Sequence, residues 1–357
     1  MPKVTYNNKQ ATFFPALKKE IDAYFAQNSL KKTGNWRLYS KTIILVSTSV
    51  ILYTLLLFVP MPGIAGILLS GLFGFVLALI GFNVMHDACH GSYSTNGRVN
   101  ELLGYTLNAL GGNSFMWKQK HNIIHHTYTN VDGMDDDIAK SPFIRMCSTQ
   151  KWVPAHKVQH LYLSFLYAVS TLFWIFWQDF YKYFTKKVYT SKLPAMSRKD
   201  HLIFWTSKAL YIVFYIALPI MLHGWLHWLV AYLVLNAVMG LTLSVIFQLA
   251  HVVEETEFTY VGIDDAVTIE NEWAVHQVKT TANFSPGSRI VTYLAGGLNY
   301  QIEHHLFPRI SHIHYPALSP IVKRKCEEFN LPYLSNPSFF TALSSHFRLI
   351  KELGAHL

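Results

Sequence analysis

Residues 63–90 read GIAGILLSGLFGFVLALIGFNVMHDACH, an apolar run that ends in two histidines. The part from 63 to 85 has no charged residue, and its length is close to the ~20 residues with which an α-helix crosses a bilayer. Similar apolar runs lie at about 42–60, 203–222 and 225–249. Because the first two and the last two runs are joined by very short turns, the sequence predicts two helical hairpins that cross a membrane.

The composition of the 357-residue chain agrees with a membrane protein. It is 51% hydrophobic and only 14% charged, whereas a soluble domain has about 25% charged residues. This excludes a disordered chain, a fibrous chain and a small disulfide scaffold. Cys89, Cys147 and Cys326 are odd in number and widely spaced, so we expect free thiols in a reducing compartment.

The distribution of positive charge predicts the orientation. The net charge is +9, and residues 1–41, 86–202 and 250–357 hold 8, 13 and 8 of the 30 lysines and arginines. The two tight turns hold none. By the positive-inside rule, both termini and the central segment lie in the cytoplasm. Because the basic residues are spread along the chain beside apolar runs, we expect no nucleic-acid partner.

A further apolar stretch, 161–183, is interrupted by Gln178 and Asp179. We expect it to lie along the cytoplasmic membrane surface rather than to cross the bilayer. The predicted fold class is therefore an all-α integral membrane protein with four transmembrane helices in two hairpins. A cytoplasmic N-terminal arm (1–41) and a helical cap (86–202 and 250–357) complete a single domain, and the cap holds a site for two metal ions.

Histidine carries the chemical signal, with 18 residues in the chain. Three clusters follow the patterns His-x3-His, His-x3-His-His and Gln-x2-His-His, and all fall on the predicted cytoplasmic side. On a helix, residues four apart share one face, so two imidazoles of a cluster can reach one ion. His251, at the end of the fourth apolar run, is a further candidate. The candidate ligands are His86, His90, His121, His125, His126, His251, His304 and His305.

Eight imidazoles are too many for one ion and suit two metal ions, each with about four nitrogens and an open position. Imidazole binds zinc, copper, iron and nickel, so the ligand type alone leaves the metal open. His276 is an open case: it lies in a cytoplasmic segment near the third cluster, where it can be a ligand or can support one. Asp87, Glu303 and Asp137 are candidates for accepting the second N–H of a ligating histidine.

At these residues the sequence resembles the membrane fatty acid desaturase family, which has three such histidine clusters at this spacing relative to its membrane spans. The resemblance covers about Thr42 to Pro320. Gln301 stands where many members have a histidine, and this form, within GGLNYQIEHHLFP (296–308), is similar to the front-end branch. That branch places a new double bond between an existing one and the carboxyl end. The chain has no His-Pro-Gly-Gly haem motif. In this respect it resembles bacterial relatives that have no fused cytochrome domain.

The resemblance implies an O₂-dependent acyl desaturase that introduces a cis double bond at a diiron centre. It implies that the clustered histidines and His251 bind the two iron ions, with Gln301 as a weak ligand or a residue that holds water. The implied partners are membrane lipid, a fatty acyl chain attached to a lipid or to coenzyme A, and a separate electron donor such as a ferredoxin or a cytochrome.

Two other functions compete with desaturation. A membrane diiron hydroxylase or ketolase has similar histidine clusters, but Gln301 favours the front-end desaturases. A metal-binding or transport protein needs polar residues in the middle of its spans, and here the clusters lie at the inner ends of the spans.

Overall fold

The computed structural model describes residues 3–140, 142–262 and 265–355. The chain is mostly helical. The helices are α1 (Phe13–Gln27), α2 (Trp36–Phe58), α3 (Gly63–His90), α4 (Gly97–Gly104), α5 (Thr106–Ala109), α6 (114–128), α7 (Pro154–Thr185), α8 (Arg198–His223), α9 (Trp225–His251), α10 (Trp273–Lys279), α11 (Arg289–Leu294), α12 (Gln301–Leu306), α13 (Tyr315–Glu328) and α14 (Phe339–Ala355).

Short strands join segments that are distant in sequence. They are β1 (Lys3–Tyr6), β2 (Val131–Asp132), β3 (Lys187–Val188), β4 (Ser191–Lys192), β5 (Thr259–Tyr260), β6 (Ala266–Ile269), β7 (Asn283–Phe284) and β8 (Ser335–Asn336). The pairs β1–β6, β2–β5 and β7–β8 are parallel, and β3–β4 is an antiparallel hairpin. The β2–β5 pair places the segment after α6 beside the segment after α9.

Five helices, α2, α3, α7, α8 and α9, are long and apolar enough to cross a membrane. Four of them coincide with the four predicted spans, and many of their large apolar side chains are exposed, as lipid contact requires. The protein is therefore a membrane protein. The fifth, α7, covers the stretch predicted to lie along the membrane surface, and it too has the length for a crossing.

The ends of α3 and α9 differ from the predicted spans in a way that matters for the site. Both helices continue past their apolar runs, to His90 and His251. The predicted spans end where the apolar runs end, but the backbone hydrogen bonds of a helix do not require apolar side chains. The histidines at the ends of α3 and α9 are thus held on rigid helical turns.

Glycines allow the helices around the site to pack closely. A Cβ at Gly74 of α3 would collide with the Leu235 carbonyl of α9, and a Cβ at Gly240 of α9 would lie 2.5 Å from the Tyr167 carbonyl of α7. The α3–α9 and α7–α9 interfaces are the most extensive between helices. Helix α9 is therefore held between α3 and α7, and its end at His251 is fixed.

Helix α1 covers the cap from the N-terminal side. Its buried face consists of Phe13, Leu17, Ile21 and Phe25, spaced four residues apart as on one side of a helix. These side chains pack with residues of α10, α12 and α13 in one apolar cluster. The cluster fixes α12, which carries the third group of histidines.

Candidate metal centre

The eight candidate histidines converge in the structure. They come from the end of α3, from α6, from the end of α9 and from α12, and none is more than 8% exposed. Neighbouring imidazole rings have centroids 4.4–6.0 Å apart, for example 4.5 Å between His86 and His304 and 4.7 Å between His125 and His251. The four elements thus enclose one histidine-lined site.

The ring nitrogens fall into two groups with metal-binding spacing. In the first group, His86, His90, His121 and His304 each offer a nitrogen, and these atoms all lie within 4.8 Å of one another. In the second group, His125, His251 and His305 do the same. His126 lies between the groups, within the same distance of His304 and His305 and with its Nε2 3.3 Å from Nε2 of His121.

The grouping differs from simple pairing at a spacing of four. His86 and His90 share a group, but His121 and His125 are divided between the two groups, and so are the adjacent His304 and His305. Adjacent residues of a helix point in different directions, so His304 and His305 face different groups. Residues Gln119–His125 form a π-helical turn, and such turns occur often at functional sites.

In three of the histidines, the ring nitrogen Nδ1 contacts another side chain of the protein. Nδ1 of His125 lies 3.0 Å from Asp135 Oδ2, Nδ1 of His304 3.1 Å from the Tyr315 hydroxyl, and Nδ1 of His305 2.8 Å from Gln277 Oε1. Their Nε2 atoms are buried and have no hydrogen-bond partner among the described residues. A histidine that donates through Nδ1 and presents a free Nε2 lone pair is oriented as metal ligands are in proteins.

Four of the five remaining ligand candidates also have ring nitrogens without a hydrogen-bond partner in the described part of the chain. His86 Nδ1, His90 Nε2, His126 Nδ1 and both ring nitrogens of His251 are buried without one. Buried polar atoms in folded proteins are nearly always paired, so a cluster of unpaired nitrogens requires an explanation. Two metal ions would pair them, and the residues present therefore fit the expected donor set.

The electrostatics favour neutral imidazoles in the cap. Burial, followed by the mutual proximity of the rings, lowers the pKa of His121, His126, His304 and His305 well below the usual value. His125 is the exception: burial opposes its protonation, but the charge and hydrogen bond of Asp135 outweigh burial and raise its pKa. The first four rings keep the lone pair that a metal needs, and Asp135 makes His125 the more basic donor.

Comparison with known proteins decides the family. The sequence model of the family described as "Fatty acid desaturase" matches residues 58–337. The chain is 35% identical over 354 residues to a sn-1 linoleoyl-lipid 6-desaturase of Synechocystis, a match covering 99% of this chain and 98% of the relative. The chain belongs to the fatty acid desaturase family. It is an oxidoreductase of lipid metabolism.

Other relatives of this chain are also named as desaturases. A sn-1 linoleoyl-lipid 6-desaturase of Arthrospira platensis is 34% identical, with 99% of this chain and 95% of the relative covered. An acyl-lipid (8-3)-desaturase of Physcomitrium patens is 35% identical, with 96% and 72% covered. These relatives are named desaturases, so the hydroxylase, ketolase and transport alternatives gain no support from them.

The carboxylates predicted to support the desaturase ligands take different positions. Asp137 pairs mainly with Lys120 at 2.5 Å and lies 3.7 Å from His125 Nδ1, so Asp135 is the closer partner of that ring. Asp87 Oδ2 accepts from Ser311 Oγ at 2.6 Å and lies 3.1 Å from Nδ1 of His312, which is not a ligand candidate. Glu303 accepts from Asn283 and Tyr333, at 2.8 and 2.6 Å. Asp87 and Glu303 thus fix the chain around the ligands rather than the rings themselves.

His276 belongs to none of the metal-binding groups found among the described residues. Its Nε2 lies 2.8 Å from the Thr129 carbonyl, and burial lowers its pKa to about 4. It therefore donates as a neutral ring to Thr129, whose hydroxyl in turn contacts His305 and Gln277. His276 therefore helps to hold Thr129, which contacts His305 of the second group.

Sequence reasoning missed two residues that orient the rings, Gln277 and Tyr315, which contact ligand candidates directly. Of the three consecutive aspartates 135–137 it selected Asp137, whereas Asp135 is the closer partner of His125. No spacing rule identified Gln277 or Tyr315, because both come from helices that meet α12 only in the folded chain. Gln301 was predicted, and its Oε1 is buried and has no hydrogen-bond partner within the described ranges.

A cavity of about 220 Å³ adjoins the histidines, and we call it the metal-side cavity. His86, His121 and Gln301 form part of its wall. Its wall includes charged side chains, among them Lys120, Lys182 and Asp137. It also includes apolar side chains, among them Phe82, Leu107, Leu110, Met239 and Leu243. A cavity with both kinds of wall suits a fatty acyl chain and its polar group.

Proposed function

We propose that this protein is a diiron acyl-lipid desaturase that introduces a cis double bond. The observation that carries the proposal is the pair of histidine groups with unpartnered ring nitrogens, in a chain of the fatty acid desaturase family. His86, His90, His121 and His304 would hold one iron ion, and His125, His251 and His305 the other. His126, which lies between the groups, would bind one of the two ions. Gln301 would be a weak ligand or hold a water molecule.

Bound iron would supply the O₂ chemistry that removes two hydrogens from adjacent methylenes, which no side chain can do by acid–base chemistry. The chain's own residues orient the ligands and shield the site. Asp135, Tyr315 and Gln277 fix three imidazole rings. The metal-side cavity would align the acyl chain past His86 and His121, so that one pair of methylenes lies at the ligands.

We propose an acyl chain esterified in a lipid as the substrate, with front-end regiochemistry. Support comes from the relatives, which are named as acyl-lipid or linoleoyl-lipid desaturases acting at position 6 or as (8-3)-desaturases. Gln301, in the third histidine cluster, favours the same branch. A coenzyme A thioester is the second candidate, since the cavity accepts the acyl part of either.

We propose the four-span topology, with α7 in the plane of the membrane surface. Both ends of α7 are bound to one short segment of the cap: His156 Nε2 lies 2.9 Å from the Pro142 carbonyl, and Lys182 pairs with Asp136 at 3.1 Å. Asp136 and Pro142 are only six residues apart, so a bilayer between the two ends of α7 is hard to reconcile with these contacts. Exposed aromatic side chains along α7, such as Phe165 and Trp177, suit the lipid interface.

In this topology both termini, the cap and the metal centre lie on the cytoplasmic side, as the positive-inside rule predicts. The chain would form one desaturase domain. Because desaturation needs two electrons besides those of the substrate and we assign no redox cofactor but the iron, a ferredoxin or cytochrome would deliver them from the cytoplasm.

The test is expression in a host with a defined fatty acid pool, followed by gas chromatography and mass spectrometry of total lipids. We expect a new unsaturated acyl species with wild type that disappears with His304→Ala. His227→Ala is the matched control, because His227 is exposed and far from the clusters. Loss of iron from His304→Ala, measured per protein, would separate a damaged site from a missing substrate. Retained product in His304→Ala, or a hydroxylated product, would refute the assignment.

A further inference from the structure

Three positive side chains lie where α2 enters the predicted bilayer, and we call them the basic cluster. They are Arg37 and Lys41 of α2 and Arg289 of α11. The segments that carry them hold no acidic residue, because residues 23–86 and 273–302 contain neither Asp nor Glu. Among the residues that the structure describes, no carboxylate forms an ion pair with any of the three side chains. Ion pairing within this part of the chain therefore leaves the charge of the basic cluster uncompensated.

Lys41 is the buried member of the basic cluster. It is 6% exposed, and its ammonium lies 4.2 Å from the centroid of the Tyr293 ring of α11. Asp87 acts on this ammonium electrostatically, but its Oδ2 is already in contact with Ser311 at 2.6 Å and with His312 at 3.1 Å. Lysine is almost never fully buried in a folded protein unless it is paired. The surroundings of Lys41 thus favour binding of an anion.

The contact between Lys41 and Tyr293 brings the two arginines toward the same place. Arg37 is four residues before Lys41, and Arg289 is four residues before Tyr293. Residues four apart share one face of a helix and are about 6 Å apart along its axis. Both arginines are exposed. Two neighbouring helices therefore place two exposed guanidinium groups near one buried ammonium.

The basic cluster lies at the depth where a bilayer changes from apolar to polar. Lys41 directly precedes the first predicted span, and the next large apolar residues, Ile43 and Ile44, are 57% and 56% exposed. Helix α11 is fixed near the end of the second predicted span, because Asn83 Nδ2 donates to the Leu294 carbonyl at 3.0 Å. The phosphate groups of lipids lie at this depth, and negatively charged lipids attract lysines and arginines beside a membrane span.

We propose that Arg37, Lys41 and Arg289 bind the phosphate of a phospholipid in the cytoplasmic leaflet. The proposal uses the proposed orientation of the spans but does not depend on desaturation. Arginine can bind a phosphate through two parallel hydrogen bonds, and the lysine adds a third positive charge. Exposed apolar side chains next to the arginines, Trp36 at 70% and Ile290 at 73%, favour a lipid over free phosphate, because they can contact its apolar part.

Native mass spectrometry of the purified protein in an uncharged detergent tests this site, because each bound lipid adds its own mass. The probes are phosphatidylglycerol, monogalactosyldiacylglycerol, which has acyl chains but no phosphate, and inorganic phosphate. We expect the first phosphatidylglycerol to bind more tightly than the galactolipid. Lys41→Met and Arg289→Gln should each weaken binding of phosphatidylglycerol roughly tenfold or more, as expected when a hydrogen bond to a charged group is lost. Neither variant should change binding of the galactolipid.

Lys323→Gln is the matched control, because it removes one exposed positive charge from α13. It should bind phosphatidylglycerol as wild type does, and Lys41→Arg, which keeps the charge, should retain most of the binding. The unfolding temperature of each variant in detergent alone shows whether it is folded. If Lys41→Met is not folded, Arg289→Gln decides, because Arg289 is exposed.

Equal affinity of wild type, Lys41→Met and Arg289→Gln for phosphatidylglycerol would overturn the proposal. Inorganic phosphate that binds as tightly as the lipid would also overturn it, because the basic cluster would then be a site for small anions only. These measurements require neither iron nor turnover. Their failure would therefore leave the desaturase assignment intact, and failure of that assignment would not affect them.

Discussion

At the scale of single residues, the chemistry depends on the partners of the outer ring nitrogens. A carboxylate, a phenol and an amide oxygen each contact Nδ1 of a different histidine. The carboxylate and the amide oxygen can only accept, so they place the proton on Nδ1 of His125 and His305. Without these partners an imidazole could rotate or present the wrong tautomer. Asp135 is the most informative of the three, because its negative charge also makes His125 a stronger donor.

We expect Asp135→Asn to weaken iron binding by the second group of histidines. An amide can still accept the His125 N–H, but the charge is lost, and replacing such a partner typically costs 10–100-fold in metal affinity or activity. The measurement is iron per protein after dialysis against graded chelator. Asp22→Asn, an exposed carboxylate paired with Lys18 and Lys32, is the control. If Asp135→Asn retains iron as the control does, Asp135 has no role at the ligand.

The identity of the ligand candidates was predictable at this scale, but their grouping was not. The clusters themselves are local in sequence, so spacing selected seven of the eight residues, and the position of His251 at the end of the fourth apolar run selected the eighth. The division of His121 from His125 depends on which histidines of α3, α9 and α12 lie beside each ring. The choice of Asp135 over Asp137 depends on Lys120, which pairs with Asp137. Both follow from tertiary contacts that no spacing rule contains.

At the scale of helices, two buried polar contacts hold α7 against its neighbours. Near its C-terminal end, Lys208 of α8 pairs with Asp179 at 2.8 Å and also donates to the carbonyls of Gly111 and Ile175. Near its middle, the Tyr167 hydroxyl lies 2.9 Å from His346 of α14. The hydropathy of α7 identified the helix, but its partners determine where it lies.

We expect Lys208→Met to destabilise the protein strongly. Removing one member of a buried ion pair leaves the other charge uncompensated, which costs about 3–5 kcal/mol. The double variant Lys208→Met with Asp179→Asn should recover much of that loss, because no buried charge remains. Thermal unfolding in detergent measures both. If the double variant is as unstable as the single variant, the carbonyl contacts of Lys208 rather than its charge hold α7.

His346 should make the stability depend on pH. It is buried against the Val252 carbonyl and Tyr167, and burial lowers its pKa to about 4. In the unfolded chain the pKa of a histidine is near 6.5, so between about pH 6.5 and pH 4 the unfolded chain binds a proton that the folded chain does not. His346 should therefore leave the free energy of unfolding unchanged above about pH 6.5. As the pH falls toward 4, the free energy of unfolding should decrease by about 3 kcal/mol in total.

His346→Gln keeps hydrogen-bonding atoms but cannot titrate, so its unfolding temperature should depend less on pH across that interval than that of wild type. The comparison is made at fixed iron content, because the ligand histidines also bind protons when the metal leaves. Parallel curves for the two proteins would show that His346 has the same pKa in the folded and the unfolded chain, and so would contradict this prediction.

At the scale of the whole molecule, the apolar runs predicted the positions of four of the five long apolar helices. Four of the long helices lie where hydropathy placed them, because twenty consecutive apolar residues have few alternatives to a buried or membrane-spanning helix. Helix α7 shows the limit of that argument, since its composition permits a crossing. Its contacts with the cap decide our proposal, and those contacts are not local in sequence.

Cysteine labelling tests the topology directly. The three native cysteines are buried, so the background of labelling by an impermeant maleimide should be low. Val158 and Phe184 are exposed residues at opposite ends of α7, at 48% and 67%. If α7 lies in the plane of the membrane, Val158→Cys and Phe184→Cys should both react only from the cytoplasmic side, as in inverted vesicles. His223→Cys, at the end of α8, should react only from the other side and serves as the control.

Labelling of Val158→Cys and Phe184→Cys from opposite sides would make α7 a fifth span. The segments before and after α7 would then lie across the membrane from one another, and the convergence of His125 from α6 with His251 from α9 would be lost, because only a shared side lets those two helices bring their histidines to one metal.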